Sequence, residues 1–207
     1  MKKLLMITLV LFALPQLIKS QTVENVFVDK EIVWFGLDFS HSKMIGHDGF
    51  SNPDQIVDKL FRSWNNLVLR EQNKYDIKKH FRKRKVDYDL SIVTERNEDV
   101  DPDDLVLDSW ETHELPEDKV QQIISEYDTD KSGIGLVFII ESFNKTEETG
   151  TMYVTFFDIA SKEILFKEKM SGETGGFGLR NHWARTFYNV ILECGEKYPQ
   201  WKKEYLD

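Results

Sequence analysis

Four glycines, Gly172, Gly175, Gly176 and Gly178, stand directly ahead of Arg180, His182 and Arg185. A glycine-rich turn that opens a helix aims backbone amides at an anion, and the helix N-terminus favours negative charge. This run is therefore the strongest chemical candidate in the chain, with Gly175, Gly176, Gly178, Arg180, His182 and Arg185 as the expected anion-binding residues. It lacks the Lys-Ser/Thr ending of a phosphate loop and the fixed three-glycine spacing of a dinucleotide site. The structural alternative is a flexible entry into a core helix, with both arginines paired to surface acids.

Other groupings are looser. Asp128 to Gly133 (DTDKSG) begins like a calcium loop, but the twelfth position, which should supply a bidentate carboxylate, is Ile139. A polar turn feeding a strand is the expected reading. Glu98, Asp99, Asp101, Asp103 and Asp104 read as a solvated charge run with no diagnostic metal spacing. His41, His47 and Asp48 share one loop and need a further ligand before they make a zinc site. His113 is followed by Glu114 without the second histidine of HExxH, and no serine sits in a GxSxG elbow. Cys194 falls on an apolar helix face and reads as a small buried hydrophobe. No catalytic constellation, metal site or cofactor is expected.

These residues need a scaffold, and the hydropathy pattern supplies one. Lys2 and Lys3 precede an apolar stretch from Leu4 to Leu14, then Pro15 and a polar exit at Lys19, Ser20 and Gln21. That is the pattern of a cleavable export signal over residues 1–21, with cleavage expected near Ser20 or Gln21. No cysteine near that point offers a lipid attachment site, so a periplasmic or secreted protein is expected, without a transmembrane segment in the mature chain. The formal charge of −9 becomes about −12 when Lys2, Lys3 and Lys19 leave, a field that repels nucleic acid. A single cysteine excludes an internal disulfide.

About 185 residues then remain for one globular domain, 22–207. Glu31 to Ser40 alternates, with Val33, Phe35, Leu37 and Phe39 on one face, and predicts a strand with one core face. A helix follows from Pro53 to about Arg70, carrying Ile56, Val57, Leu60, Phe61, Trp64, Leu67 and Val68 as one stripe. A basic run, Lys78 to Lys85, leads into a strand through Val86, Tyr88, Leu90 and Ile92. Glu95 to Asp118 reads mostly as a solvated connection, closed by a helix from about Glu117 to Tyr127. Gly133 to Phe143 is apolar throughout, as a central strand covered on both faces would be. Gly150 to Met170 predicts a hairpin, and the last helix runs from Gly178 to about Lys197. The fold class expected is α/β or α+β, a mixed sheet of about five strands with about three helices.

The segment Gly133 to Ile191, with its "TFFDI" hairpin and "GGFGLRNHWA" helix entry, resembles an uncharacterised family of exported proteins of Bacteroides-type bacteria. The N-terminal "VWFGLDFS" shares the resemblance more loosely. The spacing of Asp158, Ser161, Ile164 and Leu165 is similar to a hairpin of envelope lipoprotein assembly domains, which are mostly assembly or binding modules. The resemblance implies a compartment and no activity. The expected function is a non-catalytic cell-envelope binding or assembly module whose partner is an envelope protein or a small ligand. The alternative is a hydrolase-like envelope enzyme whose site assembles only in the fold, with Asp38, His41, Arg180 and His182 as its polar groups.

Overall fold

The computed structural model of the protein describes residues 20–207, so the predicted export signal lies outside the described residues apart from Ser20 and Gln21. Strand β1 is Glu31–Asp38, β2 Lys43–Ile45, β3 Lys85–Tyr88, β4 Val106–Leu107, β5 Ile134–Asn144, β6 Thr149–Asp158 and β7 Ile164–Glu173. All seven join one mixed sheet built around β5. β1 and β2 lie end to end along one edge of β5, parallel to it, pairing Val33 with Gly135 and Lys43 with Ser142. β3 flanks β1 and β4 flanks β2, both parallel. On the other edge β6 and then β7 run antiparallel, which is the predicted hairpin. The expected five strands are thus five columns, two of them split.

Among the described residues six helices cover the sheet, against the three expected, because the short helices Val23–Val28, Ile77–His80 and Ser91–Glu98 are not marked by the sequence pattern. The first, α1, is Val23–Val28. Pro53–Gln55, a π-helical stretch Ile56–Phe61 and Arg62–Arg70 follow without a break as one helix, α2, whose first turn is closed by the Asn52 side chain accepting from Gln55 N–H at 3.0 Å. Then come α3 (Ile77–His80), α4 (Ser91–Glu98), α5 (Glu117–Ser125) and α6 (Leu179–Leu206). One core joins α1, α2, α3 and α6 to Trp34, Leu136, Phe138, Val154 and Phe156 of the sheet. A second, smaller core joins α4 and α5 to Val33, Phe35, Val137, Ile139 and Phe157. Because alternate residues of β5 enter different cores, the molecule is an α/β fold of helix, sheet and helix layers.

The single core face expected for β1 is corrected. Val33 and Phe35 enter the smaller core, whereas Trp34, Leu37 and Phe39 enter the larger one. The alternation breaks because a β-bulge inserts one residue between Trp34 and Gly36, reversing every side chain after it. Gly36 makes the bulge possible: its φ is +109°, and a Cβ there would lie 2.4 Å from Asn65 Oδ1.

Three boundaries also move. The strand expected through Ile92 ends at Tyr88, because Asp89 accepts from Ser91 N–H at 3.1 Å and turns the chain into α4. That helix occupies the start of the segment expected as solvated connection. The last helix does not stop near Lys197 but runs through Pro199 to Leu206, its final turns held by buried Tyr198 and Trp201.

Candidate ligand-binding cleft

From β1 the chain reaches β3 through α2 and α3 on one face of the sheet, then reaches β5, on the other side of β1, through α4 and α5 on the opposite face. Connections that diverge to opposite faces leave a crevice at the carboxyl end of the strand where they part. A cleft of about 520 Å³ lies there, bordered by the β1–β2 connection (Ser40, His41, Ser42), by Leu105 beyond α4, by His113 and Leu115, and by Lys119 of α5. Its volume suits a small molecule.

Buried polar side chains build its frame. At the end of β1, Asp38 is fully buried; its Oδ2 accepts from Tyr127 Oη at 2.7 Å and from Arg96 Nε at 3.2 Å, and its Oδ1 from Ser40 N–H at 2.8 Å. Arg96 continues to Glu126 at 3.0 Å and to Ser40 Oγ at 3.1 Å. This network ties β1 and α4 to the residues that follow α5. Burial, with Asp38 alongside, pushes the Tyr127 hydroxyl well above its ordinary value, so it stays a donor. Asn65 and Asn97 finish the strand end: Leu37 N–H donates to Asn65 Oδ1 at 2.7 Å and Phe39 N–H to Asn97 Oδ1 at 2.6 Å. Both amides donate back to the Leu37 carbonyl at 2.9 Å.

The opposite wall is pinned with equal economy. A second bulge, between Ile140 and Ser142, sets Glu141 apart from the ladder, where its Oε1 accepts from Leu115 N–H at 2.8 Å. Its other oxygen pairs with Lys169 at 2.9 Å, while Tyr153 Oη donates to the Leu115 carbonyl at 3.1 Å. With both backbone groups of Leu115 fixed by β5 and β6, His113 is presented to the cleft.

His113 Nε2 lies 3.1 Å from the His41 carbonyl, an acceptor only, so Nε2 carries the proton. Burial lowers the pKa of both imidazoles; at His41 the Lys119 charge adds to that effect and Asp38 opposes it. Two neutral imidazoles therefore face the cleft at neutral pH; His41 can donate and accept, whereas His113, its Nε2–H committed to the His41 carbonyl, offers Nδ1 as an acceptor. The serines are committed elsewhere: Ser42 Oγ donates to the Phe39 carbonyl at 2.9 Å, and Ser40 Oγ receives Arg96. Among the described residues no group of three His, Cys, Asp or Glu side chains is arranged to hold a metal ion. The arrangement can hydrogen-bond a polar solute against the apolar walls of Leu105 and Leu115.

No protein-family model and no curated protein matches this chain.

The glycine-rich entry lies on α6, on the other side of the sheet. Gly178 caps the helix with φ +79°, and Gly175 N–H donates to the His182 carbonyl at 3.1 Å. His182 Nε2 meets Glu148 at 2.8 Å, and Glu148 is held down to about 2 by hydrogen bonds from Lys145 and Thr174. That carboxylate already supplies the negative charge before His182. Arg185 stacks on Tyr188, 5.0 Å from the ring centroid, and Arg180 lines a groove along α2 with Arg62 and Arg70. A Cβ at Gly175 would lie 3.3 Å from Arg185 Cγ, and one at Gly176 would lie 3.6 Å from the Asn181 carbonyl oxygen. The six residues of this candidate are thus gathered in sequence but divided between two directions in space.

Of the other polar groups singled out from sequence, His41 and, from the acidic run, Asp99, Asp101 and Asp104 line the cleft, Asp38 is buried beneath it, and His182 and Arg180 do not join them. His47 pairs with Asp108 at 3.4 Å and stays exposed. In the DTDKSG turn, Lys131 pairs with Asp87 at 2.9 Å. Cys194 is buried with its thiol pushed up by burial, 3.4 Å from Met170 Sδ. His113, weighed from sequence only against HExxH, joins the cleft together with Lys43 and Lys119, which no sequence pattern marked, since an isolated His-Glu pair after an acidic run carries no period that would expose it.

Proposed function

We propose that the protein is an exported cell-envelope binding module that holds a small polar ligand in the cleft beside the carboxyl end of β1. One observation carries the reading: a cavity of about 520 Å³, lined by two neutral imidazoles, two lysines and the acidic residues Asp99, Asp101, Asp104, Glu114 and Asp118, stands at the point where the helical connections diverge. The frame beneath it is fully hydrogen-bonded, which keeps such a site preorganised. The sequence pattern at the N-terminus and the resemblance of Gly133 to Ile191 to exported proteins of Bacteroides-type bacteria support the compartment. An acidic chain with a mixed-charge cleft fits a neutral or zwitterionic solute better than a polyanion.

Native mass spectrometry of the protein purified from its own envelope fraction tests this. A small molecule that co-purifies, and that is lost in His113→Ala, supports it. A bare chain at all protein concentrations, with no ligand-induced shifts of the His41 and His113 ring signals across a library of polar solutes, rules it out.

A second reading, a hydrolase-like enzyme, is favoured by the same two imidazoles, since a neutral histidine in a cleft is a competent base. Turnover on a hydrolase panel that disappears in both His41→Gln and His113→Gln would replace binding with catalysis.

A further inference from the structure

The main-chain nitrogen of Gln21 donates to Asp158 Oδ2 at 2.9 Å, and Ser20 Oγ lies 3.4 Å from the same oxygen. Asp158 ends β6 and is 2% exposed. Its other oxygen accepts from Ala160 N–H at 2.9 Å and shapes the β6–β7 turn. None of the ion pairs among the described residues includes Asp158. A buried carboxylate is costly without a cation, and this one is aimed at a backbone nitrogen that is neutral while residue 20 precedes it.

Ser20 is exposed and is the small residue at the exit of the predicted export signal, the type such cleavage requires. We propose that the signal is removed between Ser20 and Gln21, and that the α-ammonium released on Gln21 becomes the missing partner of Asp158. The inference rests on the export reading and adds to it a defined processing site and a structural use for the new terminus.

The chemistry is a hydrolysis. An endopeptidase adds water across the Ser20–Gln21 peptide bond; the Ser20 carbonyl leaves as the carboxylate of the released segment, and the Gln21 nitrogen takes up protons to become an ammonium. An α-amine ordinarily titrates near pH 8, so it is charged at neutral pH. A neutral N–H donor is thereby replaced at the same 2.9 Å contact by a charged one, and charge-assisted bonds are the stronger class.

The consequence reaches α1. Its far end is already clamped, because Lys83 Nζ donates to the Val26 and Asp29 carbonyls and Tyr198 Oη donates to Val26 at 3.0 Å. The ion pair strengthens the near end, which in the precursor is held only by the neutral Gln21 N–H bond to Asp158. A free N-terminal glutamine also cyclises by attack of its unprotonated amine on the side-chain amide, with loss of ammonia. An amine kept protonated on Asp158 resists that attack.

N-terminal sequencing and intact mass of protein exported by a bacterial host are the first test, and a start at Gln21 with a free amine is expected. Retention of residues 1–20 would overturn the export reading itself. A start at another residue, or a cyclised Gln21, would overturn the ion pair while leaving export intact. The second test compares Asp158→Asn in two chains, one beginning at Gln21 and one carrying two extra residues before it. Asn keeps the acceptor for Ala160, so the turn survives. The melting temperature is expected to fall by roughly 5 °C more in the chain that begins at Gln21; an equal fall in both overturns the proposal. Should the variant fail to fold, pH titration of a nitrogen-labelled Gln21 amine in the unaltered mature protein decides. An amine that titrates above its ordinary range is expected, and one that titrates normally overturns the pair.

Discussion

Lys83 sits in the basic run Lys78 to Lys85 that leads into β3, yet only 5% of it is exposed. Burial pulls its amine down to about 8, with Lys30 adding to the effect and Asp29 opposing it. Its role is geometric: it supplies hydrogen bonds to the Val26 and Asp29 carbonyls, where α1 ends and β1 begins. In Lys83→Met the stem volume is kept but the Asp29 carbonyl loses this donor, and urea unfolding should show a loss of about 1–3 kcal/mol. The patterning that hides Lys83 from a sequence reader is the same that hides Gly172. A Cβ at Gly172 would stand 2.1 Å from the Thr186 carbonyl oxygen, so α6 lies directly on the backbone of β7. Gly172→Ala must push the helix off the sheet, and its unfolding free energy should drop by about 1–3 kcal/mol. Three of the four glycines read as one anion-binding turn do lead into α6, but this first one is a packing contact.

At the scale of elements, legibility followed periodicity. β5 was readable because an unbroken apolar run has no other economical home than a strand covered on both faces, and all but the last of its residues are buried. The β6–β7 hairpin and α5 were readable for similar reasons. β1 was readable as a strand but not in its facing, because a bulge leaves the composition unchanged while reversing half the side chains. The two asparagines that satisfy the bulged strand end, Asn65 and Asn97, lie on different helices and carry no sequence signal of their purpose. Asn65→Ala leaves the Leu37 N–H without its 2.7 Å acceptor inside the core. A loss of about 1–3 kcal/mol is expected. Amide exchange at Leu37 should accelerate far more than at Val154 on the other side of β5, because the defect is local to the end of β1.

For the whole molecule, the cleft depends on histidines that are neutral because they are partly buried, and this links its integrity to pH. His41, His80 and His113 all have folded-state pKa values below 6.5, burial being the largest cause in each. At His80 the neighbouring Lys79 adds to burial, and at His113 the His41 carbonyl opposes it. Below about pH 6.5 the unfolded chain takes up protons that the folded chain resists, so the unfolded state gains and stability falls with pH. Above that value both states are neutral at these sites and the contribution is fully present. The histidine contribution should therefore be level from pH 8 to 7, where the slope belongs to the Lys83 amine near 8, and the melting temperature should decline from pH 7 toward pH 5.5, before most carboxylates begin to titrate. In His113→Gln, whose amide keeps a donor for the His41 carbonyl, the decline should shrink without vanishing, since His41 and His80 still titrate. A profile as steep as that of the unaltered protein would mean that His113 is protonated as freely in the cleft as in the unfolded chain. If a ligand accepts a hydrogen bond from the protonated imidazole more strongly than from the neutral one, its binding should instead tighten over the same window in which the fold weakens. Stability and affinity would then run in opposite directions, and measuring both across pH 5.5–8 separates a site built for neutral solutes from one that recruits acids.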